Sequence, residues 1–181
     1  MLAAIAGDSG VVYIINMFTQ VCCHDRQMAD GSSFPCHVMT WSPCGKLLAI
    51  GATFDLLTIY DDEEVYRYCE YTNGWDWIVA LGFSNEGDVL AIGGDNRIKL
   101  FKVEAPQSMR VLQCISLEDD QYADALEWLP HGYAFVALLT QRSFSDDGYH
   151  TDGYHYKKLP DGAFDPVPYV RSQDGKYTPY S

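Results

Sequence analysis

Positive charge is scarce in this sequence: 12 Lys and Arg stand against 25 Asp and Glu in 181 residues, a formal charge of −13 with histidine neutral. The resulting pI near 4.5 surrounds the folded chain with a negative field that opposes phosphate backbones and anionic lipid surfaces. No nucleic-acid partner is expected. Long apolar runs are missing as well, and no window approaches the roughly 18 to 20 residues that a membrane-spanning helix needs. The N-terminal Met-Leu-Ala-Ala-Ile-Ala has no basic residue ahead of it, and Gly7, Asp8, Ser9 and Gly10 interrupt it before a signal-type apolar region forms. Six irregularly spaced cysteines in a chain of this size are expected to be reduced thiols. The expected setting is intracellular and cytoplasmic, without membrane insertion.

Several chemistries lack their sequence signatures. There is no Gly-x-x-x-x-Gly-Lys-Ser/Thr loop, no Gly-x-Gly-x-x-Gly opening a helix and no Gly-x-Ser-x-Gly elbow. The acidic runs Asp61 to Glu64, Glu118 to Asp120 and Asp146-Asp147 lie between apolar segments and lack the alternating spacing of a calcium loop. They read as solvated connections. His131 or His150 beside acidic loop residues would suit acid/base chemistry, but no second group must sit beside either. Cys22, Cys23, His24, Cys36 and His37 supply enough nitrogen and sulfur ligands for zinc, with a spacing that matches no paired Cys-x-x-Cys arrangement; small buried thiols are the alternative reading. The chain is expected to be no enzyme and to hold no cofactor.

What the sequence does contain is a repeat. Val38-Met-Thr-Trp-Ser-Pro-Cys-Gly-Lys-Leu-Leu-Ala-Ile-Gly51 recurs as Ala80-Leu-Gly-Phe-Ser-Asn-Glu-Gly-Asp-Val-Leu-Ala-Ile-Gly93, at an offset of 42 throughout. Apolar segments starting at Leu56 and Ile98 close the two units. Leu2 to Asn16 matches the second half of the unit at an offset of 45, and Ala125 to Leu138 matches its first half 45 residues beyond the second copy. No stretch shows a helical period of 3.6. Each unit instead reads as four short strands, with glycine or Ser-Pro turns between them. Trp41, Phe83 and Trp128 share one repeat position and are expected in the core. An all-β chain with repeats of roughly 40 to 45 residues and four strands per repeat has the pattern of a β-propeller blade.

These residues resemble WD40 repeats. "WSPCGKLLAIG" with "LLTIYD", and "FSNEGDVLAIGG" with "IKLFK", follow that family's aromatic-Ser-Pro-x-Gly turn, apolar strand and closing aromatic-Asp, over about residues 1–138. Tyr60-Asp61 and Phe101-Lys102 stand where the family often has Trp-Asp, and no Gly-His dipeptide precedes either full unit. The resemblance implies WD40-like blades over 1–142: a half blade at 1–20, full blades at 34–72 and 76–117, and a partial blade at 121–142.

About three to three and a half blades fall short of the four to eight that close a propeller. Exposed sheet faces and edges would need cover from another protein subunit, from a second copy completing the ring, or from the rest of a longer WD40 protein. Residues 143–181 read as an extended or partly ordered tail rich in tyrosine and proline. Tyr149, Tyr154, Tyr156, Tyr169, Tyr177 and Tyr180 in this tail, with Trp75 and Trp77 in a loop before a strand, are the candidate partner contacts. The expected function is that of an interaction scaffold or structural subunit.

Overall fold

A computed structural model of the chain describes residues 2–6, 11–27, 35–52, 56–60, 65–69, 77–105, 108–118, 121–130, 134–141, 150–158, 163–167, 169–171 and 177–179. The strands are β1 (Leu2–Ala6), β2 (Val11–Asn16), β3 (Val21–Gln27), β4 (Cys36–Trp41), β5 (Leu48–Ala52), β6 (Leu56–Tyr60), β7 (Val65–Cys69), β8 (Ile78–Phe83), β9 (Val89–Gly94), β10 (Arg97–Ala105), β11 (Ser108–Ser116), β12 (Gln121–Trp128), β13 (Ala134–Gln141), β14 (His150–Lys158), β15 (Phe164–Val167), β16 (Tyr169–Arg171) and β17 (Tyr177–Pro179). They form antiparallel meanders in chain order: β1-β2-β3, β4-β5-β6-β7, β8-β9-β10-β11 and β12-β13-β14-β15, hereafter sheets 1 to 4, with β16-β17 as a separate pair. The chain is all-β. Among the described residues no helix is long and apolar enough to cross a membrane.

The sequence repeat reappears as a repeat of register. In sheets 2, 3 and 4 the first and second strands pair Val38 with Gly51, Ala80 with Gly93 and Ala125 with Leu138. Each of the three pairings carries a register shift just before that point, between Cys36 and Val38, between Ile78 and Ala80, and between Ala123 and Ala125. The turns repeat as well. Ser42 and Ser84 each turn the chain with a backbone bond to the residue five positions on, and each hydroxyl accepts from that same residue's N–H at 3.0 Å. Gly45 and Gly87 take φ values of 70° and 75°, a left-handed conformation that glycine adopts without Cβ strain. The aromatic-Ser motif therefore folds locally as its sequence predicts.

In sheet 3 this turn is tied further: the Ser84 hydroxyl donates to Asp88 at 2.9 Å and the Lys102 ammonium pairs with the other Asp88 oxygen. Partial burial pushes the Asp88 carboxyl up, but the hydrogen bonds from Lys102 and Ser84 together outweigh it and hold the group below the usual carboxylate range. Lys102, on β10, thus has a partner in the turn before β9.

Each sheet has a leading face, turned toward the sheet before it, and a trailing face, turned toward the sheet after it. The trailing face of sheet 1 (Leu2, Ala4, Val12, Ile14) packs on the leading face of sheet 2 (Met39, Trp41, Leu48, Ile50). Val38, Ala49 and Ile59 on the trailing face of sheet 2 meet Leu81, Phe83, Leu90 and Ile92 of sheet 3. Ala80, Ala91 and Leu100 then meet Leu126, Trp128, Phe135 and Tyr156 of sheet 4. Strands buried on both faces read as continuous apolar runs, which explains Leu47 to Gly51 and Val89 to Gly93. Small residues set how closely the sheets approach: a Cβ on Gly93 would lie 2.8 Å from the Ala123 Cβ, and one on Gly51 would lie 2.4 Å from Ile78 Cγ2.

Two expected boundaries are corrected. The first unit does not stop at residue 20, because β3 adds Val21–Gln27 to sheet 1. The fourth unit does not stop at 142: β14 and β15 come from the segment read as a tail and complete sheet 4. Aromatic rings take the place of an aliphatic run there. Phe135 stacks on Tyr156 at 4.8 Å between ring centroids, and Phe164 meets Trp128 edge-on at 5.6 Å. Gln113 on β11 holds the Phe164 backbone at both ends, donating to its carbonyl at 2.7 Å and accepting from its N–H at 2.6 Å.

Candidate interaction surface

Sheet 1 matches the later sheets residue by residue. Ala3, Ala4, Ile5 and Ala6 pair with Ile15, Ile14, Tyr13 and Val12, as Leu48, Ala49, Ile50 and Gly51 pair with Tyr60, Ile59, Thr58 and Leu57. Ile5 therefore occupies the place of Ile50 and Ile92 on the leading face. Those two are 3% and 8% exposed because a preceding sheet lies on them, whereas Ile5 is 55% exposed. Tyr13, its cross-strand partner, is exposed beside it. Met17, Phe18 and Val21 are also exposed, in and beside the β2–β3 turn and away from the Ile5–Tyr13 pair. Asn16 shapes that turn by accepting from the Phe18 and Thr19 N–H groups at 2.9 and 3.3 Å.

The opposite end of the stack is different. On the trailing face of sheet 4, Glu127 stands where Gly82 and Thr40 stand in sheets 3 and 2, and Leu138 stands where Gly93 and Gly51 stand. Both are exposed. A carboxylate in mid-face and a bulky side chain at the point of closest approach do not suit the packing used at the three internal junctions. Among the described residues the open apolar face is the leading face of sheet 1.

The residues singled out from the sequence scatter. Tyr156 is corrected outright: at 2% exposure, stacked on Phe135, it is core. Tyr154 pairs in register with Ala137, Tyr169 with Pro179 and Tyr177 with Arg171. Tyr149, Tyr180, Trp75 and His131 lie outside the described residues. Trp77 is exposed just ahead of β8 and stacks on His37 with ring centroids 5.3 Å apart and planes 10° from parallel. Sequence reasoning did not select Ile5 or Tyr13, although the offset of 45 already laid Ile5 over Ile50.

Among the described residues no group of three or more His, Cys, Asp and Glu could hold a metal ion. The thiols divide by environment. Cys36 is half-buried, and desolvation pushes its thiol up. Cys44 is exposed in the Ser42 turn with its sulfur 3.3 Å from the Ser42 hydroxyl; that contact, the backbone at Lys46 and the Lys46 charge pull its thiol down. Because the thiolate is the nucleophile, iodoacetamide at neutral pH is expected to alkylate Cys44 at least about tenfold faster than Cys36, as read by peptide mapping over time. No family model matches the chain, and no curated protein sequence matches it. The likeness to WD40 repeats stands on the repeat residues themselves.

Proposed function

We propose that this chain is a non-enzymatic interaction module, a run of WD40-like blades forming part of a β-propeller, and that another protein covers its open end within a larger assembly. The observation that carries this reading is the exposure of Ile5 at a repeat position where Ile50 and Ile92, in sheets 2 and 3, are buried under a neighbouring sheet, with Tyr13 exposed beside it. Full burial of a side chain of this size is worth about 1.5–3 kcal/mol, so covering the face supplies a driving force for association. Glu127 and Leu138 on the other end favour a different polypeptide over a second copy stacked in the same way, and without that partner the purified chain is expected to pair the exposed sheet 1 faces of two copies. The charge of −13 favours a partner with a basic rim.

Light scattering on the purified chain tests the reading. The wild type is expected to run above the mass of one chain, and Ile5→Lys with Tyr13→Lys is expected to return it to a folded monomer. A wild-type chain that is a stable, folded, soluble monomer at all concentrations overturns it.

A further inference from the structure

The outer edge of sheet 4 meets a side chain of sheet 3. Among the described residues β15, the last strand of sheet 4, pairs with β14 alone. The Phe164 N–H and carbonyl both point to Gln113 on β11, at 2.6 and 2.7 Å, and so face away from Lys158, the residue across the ladder. Inward-facing and outward-facing residues alternate in an antiparallel pair. Asp165 therefore faces inward, opposite Lys157, and Pro166 faces outward, opposite Tyr156. Proline has no N–H. Of these two outward positions, one has its donor taken by Gln113 and the other has no donor to offer.

The anchorage of β15 contrasts with that of the core strands. Among its described side chains Phe164 is buried, whereas Asp165 and Pro166 are exposed. The Phe164 ring packs on Trp128 and Phe135, with centroids 5.6 and 5.5 Å apart. One ring and one side-chain amide thus supplement a ladder of four residue pairs. In β9, by comparison, Val89, Leu90, Ala91 and Ile92 are buried between sheets on both faces. Segments with few buried apolar contacts open at a lower free energy than core strands do.

We infer that β15 is a strap that lifts from sheet 4 as a unit while the rest of the chain stays folded, and that Gln113 is its latch. A glutamine amide has the donor and the acceptor of a peptide group. Here it stands where the backbone of a neighbouring strand would, donating through Nε2 and accepting through Oε1. Both bonds are lost together when the strand lifts, and the Phe164 ring leaves its slot with them. Lifting uncovers Trp128 and Phe135 and frees the β14 edge. Because the latch belongs to β11, the closed strap also ties the last strand of sheet 3 to the last strand of sheet 4. The inference is independent of the open face of sheet 1.

Native-state hydrogen exchange of the full chain, resolved by NMR, tests this. The reporter is the Asp165 N–H, which faces β14 and is not the group bonded to Gln113. Its exchange reads the lifting of the strand and not the loss of the latch bond itself. In the wild type Asp165 is expected to exchange at least about tenfold faster than Leu90 in β9, and with a weaker dependence on urea. Gln113→Ala is expected to speed Asp165 by a further factor of at least about ten, equivalent to about 1.4 kcal/mol, and to leave Leu90 unchanged. Gln113→Glu keeps an acceptor for the Phe164 N–H but has no donor for its carbonyl, and its Asp165 rate is expected to fall between the other two. One shared rate and urea dependence for Asp165 and Leu90 in the wild type overturns the strap. An Asp165 rate unchanged in Gln113→Ala, or one that rises only in step with Leu90, overturns the latch. If the Ala variant does not fold, the Glu variant decides by the same two criteria.

Discussion

Gly93→Val is expected to destabilise the chain by about 3 kcal/mol, the upper part of the range for overpacking a filled core and a large share of the 5–15 kcal/mol that holds a domain folded. A Cβ at this position would lie 2.8 Å from the Ala123 Cβ, 3.1 Å from the Ala123 carbonyl oxygen and 3.1 Å from the Ala80 Cβ. None of these atoms can swing away by a change of rotamer, so sheets 3 and 4 must separate. The strand preference of valine recovers at most about 1 kcal/mol. Leu138→Gly, at the equivalent register position of sheet 4, is expected to cost only about 0.5–1 kcal/mol, because Leu138 is exposed and not clamped between sheets. Urea midpoints of the two variants check the contrast. Equal midpoints would mean that the sheets do not approach through these glycines.

The second large effect belongs to Trp128. Its ring packs against Phe135 and Phe164 at 5.3 and 5.6 Å, and its Nε1–H donates to the Gly82 carbonyl at 2.9 Å in the buried junction of sheets 3 and 4. Trp128→Ala is expected to cost about 3–5 kcal/mol. Trp128→Phe keeps most of the ring but leaves the Gly82 carbonyl without this partner, and is expected to cost about 1–3 kcal/mol. Measured by urea unfolding, that ordering separates packing from the hydrogen bond; a Phe variant as unstable as Ala would assign the whole effect to the indole bond.

Much of this architecture was legible from particular residues. The Trp41-Ser42 and Phe83-Ser84 turns, the glycines at 45 and 87, and the doubly buried Leu-Ala-Ile runs are local signals, each with its own physical cause, and they recur at a fixed offset. The completion of sheet 4 was not legible. β14 reads His-Thr-Asp-Gly-Tyr-His-Tyr-Lys-Lys, polar at most positions, and its membership depends on Tyr156 finding Phe135 across the sheet and on Phe164 finding Gln113. Such pairings are long-range and leave only a period-two trace at Tyr154 and Tyr156. Tyr156 was misread for a related reason. Tyrosine in a proline-rich segment signals contact area, but composition does not say whether the contact is with a partner or with the chain's own core. Ile5 gave no compositional signal at all; among the described residues no sheet packs on it, unlike Ile50 and Ile92.

Hydroxyl-radical footprinting across a dilution series tests the central claim, that the leading face of sheet 1 is a contact surface, most directly. The account predicts that oxidation of Tyr13 falls as the chain assembles, while Phe18, 83% exposed at the tip of the β2–β3 turn, stays reactive. Assembly that leaves Tyr13 as reactive as it is in the dilute monomer would contradict it.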